Sequence, residues 1–206
     1  MSLLKSILSS LRRQGSDQAE TPHQHLLGEL EKSGFFEGLT DEQIERVREA
    51  VKQYGAAGIY GEPRCVHADS EDLAEGQLGN FLKRVESFLS RHGVPQLVTA
   101  ENFSHLGYSV HINGQHYVIW NESEAENAWG LSEVRTLMLL NDLLRSANSS
   151  ERAYGLYGGN DFHVFFLTPR PRNLVASQPG VAPKDLPYEA HEHPLFETPQ
   201  FQSASP

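Results

Sequence analysis

The chain has a single cysteine, Cys65, in 206 residues. An intrachain disulfide is therefore excluded, and nothing points to an oxidising compartment. Long apolar runs are missing too: none approaches the roughly 18–20 residues that a membrane-spanning helix needs. No transmembrane segment is expected, and a cytoplasmic location fits. Positive charge is scarce, with 17 basic against 27 acidic residues and a formal net charge of -10. That argues against nucleic-acid binding, which rests on a basic surface. It fits a protein that meets a basic partner. Hydrophobic residues make up only 38% of the chain, so part of its length is expected to lie outside a packed core.

Catalytic signatures are absent as well. There is no HExxH pair, no P-loop ending in Gly-Lys-Ser/Thr, and no nucleophile elbow around Ser149, Ser150 or Thr168. His67 lies two residues from Cys65, but a cysteine nucleophile also needs an oxyanion site and an oriented base. Cys65 is read as a structural thiol. The sequence favours a non-enzymatic role and implies no cofactor.

What is present divides the chain into three parts. Residues 1–20 hold an amphipathic helix, with Leu3, Leu4, Ile7, Leu8 and Leu11 on one stripe, followed by a polar linker. Lys5, Arg12 and Arg13 lie beside that stripe; the remaining 14 basic residues face 27 acidic ones, a balance of -13. The basic residues follow the apolar ones, so the segment does not read as a secretory signal. It is suited to docking on the body or on a second copy. Residues 21–170 form one domain. Residues 171–206 read as an extended or disordered tail, since eight of the eleven prolines lie from Pro169 onward. Either arm could support a homo-oligomer.

Within the domain, Thr21-Pro22 opens a helix that Gly34 ends. Thr40 and Gln43 fit a capping box, with Ile44, Val47, Val51 and Tyr54 at helical spacing and Gly55 as the stop. Leu78, Phe81, Leu82, Val85, Phe88 and Leu89 mark another helix, closed by Gly93 and Pro95. The stretch between these two, residues 56–77, reads as loop. Asn113-Gly114 then sits between two alternating runs, the strongest short hairpin signal. A two-residue turn pairs Ile112 with Gln115, Val110 with Tyr117, Tyr108 with Ile119, and His111 with His116. A helix follows over residues 131–147, where Trp129 is available for packing. A second hairpin turns at Gly158-Gly159-Asn160-Asp161. Its returning strand, Phe162 to Leu167, is apolar on both faces and should be covered on both. The expected fold is α+β: an antiparallel four-stranded sheet of two hairpins separated by a helix, packed against the N-terminal helices, with a Pro-rich C-terminal tail.

Three clusters carry candidate function. Asp69, Glu71, Asp72 and Glu75 form one acidic stretch, and Glu122, Glu124 and Glu126 form another. Acidic residues favour a helix N-terminus, and they also suit docking of a basic protein, above all if the fold joins the two stretches. His111 and His116, directly opposed across the first hairpin, are candidate metal ligands, with His163 a third if its strand is adjacent. His191–Pro194 and His23/His25 are weaker metal hints. The glycine quartet reads as a turn, because the following segment is strand and a phosphate loop needs a helix there. Trp120 and Trp129 read as core or rim anchors.

A small, acidic α+β protein without catalytic apparatus is similar in profile to bacterial immunity or inhibitor proteins. These neutralise a basic toxin or effector by surface complementarity. The alternatives are a metal-binding protein or metal-dependent enzyme centred on His111 and His116, and a structural or assembly subunit.

Overall fold

The structure, a computed structural model, describes residues 21–178 and 185–190. The amphipathic segment and linker of residues 1–20 lie outside these, as do residues 179–184 and 191–206.

Two capped helices open the fold. In α1 (Pro22–Ser33) and α2 (Asp41–Tyr54), Thr21 and Thr40 each accept from the backbone N–H three residues on. Gln24 and Gln43 reach back to the cap N–H, so both ends are reciprocal capping boxes. Gly34 closes α1 in the left-handed region, at φ 83°. Next come β1 (Cys65–His67), the one-turn helix α3 (Ser70–Ala74) and α4 (Leu78–Arg91). Strands β2 (Thr99–Ser104), β3 (Gly107–Ile112) and β4 (Gln115–Asn121) follow. The long helix α5 (Ala128–Ser146) leads to β5 (Arg152–Leu156), β6 (His163–Leu167) and α6 (Pro169–Ala176).

The strands form two antiparallel sheets of three, ordered β1-β6-β5 and β2-β3-β4. The fold is α+β, but the expected single four-stranded sheet is split. The reason lies in α5. Its buried residues include Leu131, Val134, Leu137, Leu139, Leu140, Leu143 and Leu144, which do not fit one stripe. A helix apolar around most of its circumference must be covered on several sides, and α5 packs against both β4 and β5. It separates the hairpins instead of capping one sheet. Each hairpin then gains a third strand from a segment without strong strand patterning. Cys65–His67 adds to β6, with Cys65 opposite Phe165 and His67 opposite His163. Thr99–Ser104 adds to β3.

The core has two parts. The larger joins Leu82, Val85 and Phe88 of α4 and the α5 leucines to Tyr108, Val110 and Ile112 on one side and to Val164 and Phe166 on the other. The smaller places Phe165, Leu167, Tyr154 and Leu156 against Leu26, Leu30, Val47 and Val51. The N-terminal helices thus supply the cover that the apolar β6 requires. Arg64 ties the parts together. Its buried guanidinium pairs with Glu151 at 2.9 Å and donates to the carbonyls of Phe35, Glu37 and Phe166.

The segment after Pro169 departs from the expected tail. Pro169 stands at the start of α6, where its missing N–H is no loss. Pro171 and Val175 are buried, and α6 rests on α1 and β6. Further on, Tyr188 bridges to Gly155 with two backbone hydrogen bonds of 2.9 Å. Residues 179–184 and 191–206 of the tail lie outside the described residues.

Candidate functional site

The first hairpin contains the detail that shapes the surface. Asn113, at φ 52°, and Gly114, at φ 83°, make the two-residue turn. Ile112 pairs with Gln115, His111 with His116, and Val110 with Tyr117, as the turn dictates. The register then shifts: Ser109 pairs with Val118, but Tyr108 pairs with Trp120. Ile119 is the extra residue of a β-bulge, so the expected Tyr108–Ile119 pairing is replaced. Both Ile119 and Trp120 turn inward as a result. The Trp120 indole N–H donates to the Ala74 carbonyl at 2.9 Å.

Trp120 is the inner wall of a groove of about 650 Å³. Phe103, from the added strand β2, and Trp129, from the first turn of α5, stand around it, 51% and 48% exposed. Phe103 meets Trp120 edge-on at 6.2 Å. Trp129 is therefore a rim residue and does not join the packing face of α5. Ala74, Ala125, Ala128 and Gly130 keep the groove open by being small. Two carboxylates border it, Glu75 and Glu126.

Those two glutamates come from the two acidic stretches, so the fold brings one member of each to the same groove. The other members divide by role. Asp69 is the N-cap of α3 and accepts from the Glu71 N–H. Glu124 accepts from Arg135 at 2.7 and 2.9 Å and from the Asn121 N–H, and these contacts hold its carboxyl below the usual glutamate value. Both carry local structure. Asp72 and Glu122 are exposed and Glu71 is half-buried, and none of the three lines the groove. The groove itself went unread in the sequence because it depends on the bulge and on β2, neither of which has a sequence pattern.

The histidines arrange differently from the expected triad. His111 and His116 are exposed and stacked, with ring centroids 4.6 Å apart and planes inclined by 26°. His163 is in the other sheet, so it is not a third partner for them; it pairs with His67. His23 contacts the Lys52 carbonyl at 3.0 Å and ties α1 to α2. His191–Pro194 lie outside the described residues. Among the described residues, no group of three or more His, Cys, Asp or Glu side chains is placed to hold a metal ion. Cys65 is buried, which pushes its thiol up to about 12; it lies in the core beside Phe165.

The Gly158–Asp161 quartet is the corner between β5 and β6. Tyr157 at φ 58° and Gly159 at φ 62° make the reversal, and residues Gly159–Asp161 form a single 3-10 turn. The corner is held from beneath by Glu133 of α5, which is 3% exposed. The Gly159 N–H donates to Glu133 Oε1 at 2.7 Å. The Ser70 hydroxyl bonds to the same oxygen and lies 2.7 Å from the Gly159 carbonyl. Burial raises the Glu133 carboxyl above its ordinary value. A hydroxyl has one proton, so both Ser70 bonds are made together when Glu133 is protonated and donates to it.

Comparison with known proteins found no matching family model, no matching curated protein and no matching solved structure. Fold and groove define an α+β protein with a shallow acidic-aromatic concavity. No helix among the described residues is long and apolar enough to cross a membrane.

Proposed function

We propose that this chain is a non-enzymatic module that binds a basic protein partner, in the manner of an immunity or inhibitor protein. The observation that carries the reading is the meeting of Glu75 and Glu126 at the Phe103–Trp120–Trp129 groove. Exposed aromatic faces attract cations, and arginine guanidinium stacks on tryptophan best of all. Carboxylates at the rim add long-range attraction and orientation. The overall charge of -10 acts in the same direction, speeding encounter with a cationic surface. An anchor that fills an aromatic concavity, surrounded by a polar rim, is how interface energy concentrates. Asp69, Glu71, Asp72, Glu122 and Glu124 contribute to the field around the groove; Glu75 and Glu126 make the contact.

Both tryptophans of the chain line the groove, so intrinsic fluorescence reports its occupancy. Titration with an arginine-rich peptide is expected to change the emission saturably, with affinity falling as salt is raised. A glutamate-rich peptide of equal length should have no effect. The same titration with Trp129→Ala, Glu75→Gln and Glu126→Gln is expected to weaken binding in each case. A response that is salt-independent, or that these substitutions leave unchanged, refutes the reading.

A further inference from the structure

We infer that His67 and His163 form a binding site for a divalent transition-metal ion of the imidazole-preferring class. The two residues face each other directly across β1 and β6. Their ring centroids are 5.0 Å apart and the ring planes are inclined by 75°. His67 is exposed and His163 half-buried, so an ion can reach them from solvent.

The hydrogen bonds fix which nitrogens are available. His67 Nε2 lies 2.8 Å from the Asn160 carbonyl. His163 Nδ1 lies 2.8 Å from the Asp161 carbonyl. A carbonyl oxygen only accepts, so each of these nitrogens carries the proton. That leaves a lone pair on Nδ1 of His67 and on Nε2 of His163. A ring that donates one N–H to a backbone carbonyl and offers its other nitrogen is the usual setting of a metal-bound histidine, because the carbonyl fixes the tautomer and the ring orientation. Both carbonyls come from the Gly158–Asp161 corner, which Glu133 holds in place. The orienting groups are therefore part of a built turn.

Ring orientation separates this pair from His111 and His116. An imidazole lone pair lies in the plane of its ring, and the ion sits about 2.0–2.1 Å along it. An ion shared by two rings must lie in both planes. Planes inclined by 75° at 5.0 Å intersect close to the rings. Planes inclined by 26° at 4.6 Å intersect far from both, so the stacked pair would have to rotate before it could chelate. Two imidazoles leave the remaining coordination positions to water, which suits Ni²⁺, Cu²⁺ or Zn²⁺ and offers nothing to Mg²⁺.

Calorimetric titration of the whole chain with NiCl₂ and ZnCl₂ tests the site, with MgCl₂ as the control. One ion per chain is expected, with no heat from Mg²⁺. His67→Asn and His163→Asn should each reduce affinity at least tenfold, while the double change His111→Asn/His116→Asn should not. Two-bond ¹H–¹⁵N spectra of the metal-free protein should show His67 protonated at Nε2 and His163 at Nδ1, with both rings shifting on addition of Zn²⁺. Thermal melting without metal establishes that the variants are folded. The proposal is overturned by no binding to the native chain, or by binding that survives both asparagine variants. It is equally overturned by binding that disappears only with His111 and His116.

Discussion

The ring of Tyr188 occupies the space where Gly155 would carry a side chain: a β-carbon there would overlap the phenol. The same two residues exchange backbone hydrogen bonds, N–H to carbonyl in both directions at 2.9 Å. Gly155 is thus needed for close approach, and the segment around Tyr188 covers the free edge of β5. Gly155→Ala is expected to displace Tyr188 and cost about 1–3 kcal/mol, the usual price of overpacking. Tyr188→Ala removes the obstacle, so the two costs should not add. Urea unfolding of the single and double variants checks this; strict additivity would contradict the contact.

Glu133 gives stability a pH dependence. Its carboxyl is raised above the ordinary 4.5 by burial, with the Ser70 and Gly159 bonds opposing. The neutral form's contribution is complete below the ordinary value and is withdrawn as pH climbs through the elevated one. Glu151 is raised by burial as well, against the pull of Arg64, and acts with the same sign. Stability should therefore decline as pH rises above 4.5 across this window. Glu133→Gln should flatten that decline while still accepting the Gly159 N–H. Glu133→Ala strands that N–H, at about 1–3 kcal/mol, while the Ser70 hydroxyl keeps the Gly159 carbonyl as its acceptor. Melting temperatures measured across pH for the three proteins distinguish these outcomes.

Arg64 and Glu151 form a buried pair, each side chain 2% exposed. Arg64→Met leaves the carboxylate without its partner and should cost about 3–5 kcal/mol. Changing both, to Met and Leu, removes the stranded charge and should recover part of that loss. Denaturant midpoints of the single and double variants provide the test. A double variant less stable than Arg64→Met would contradict the stranded-charge account, because both variants lack the carbonyl bonds of Arg64 and differ only at Glu151.

The two tryptophans should separate binding from stability. Trp129 is 48% exposed, so Trp129→Ala should shift stability by no more than about 0.5 kcal/mol. Trp120 is 7% exposed and hydrogen-bonded to Ala74. Its replacement by alanine should cost about 3–5 kcal/mol. Thermal unfolding of both variants checks the division; comparable losses would place Trp129 in the core.

Elements fixed by local chemistry were legible in the sequence. The capping boxes at Thr21 and Thr40, the glycine stops at Gly34 and Gly55, the Asn113-Gly114 turn and the doubly covered β6 all follow from side-chain type and spacing. Strands β1 and β2 were not, for a physical reason. β1 is three residues long, and β2 is a largely exposed edge strand. Neither buries an alternating face, and each is defined by the strand it joins. The single-sheet expectation failed because apolar residues spread around α5 show that it is buried without showing what lies on each side. Helix α6 was hidden by Pro169 and Pro171, which read as breakers, although a helix tolerates proline in its first turn. Of the groove, the charged rim and the two tryptophans as core or rim anchors could be read in the chain, while Phe103 and the meeting of these residues in one concavity could not.

Ile119 is the unmatched residue of β4, and its consequences reach well beyond the ribbon itself. One surplus backbone unit swings an indole out of the solvent-facing row and makes it do two jobs, wedging the hairpin against α3 and flooring a concavity. Folding draws on that ring, and so would the binding proposed for the groove. Under the proposed function, substitution at the exposed Trp129 or Phe103 would retune the grip of the groove, whereas substitution at the buried Trp120 would disturb the architecture first.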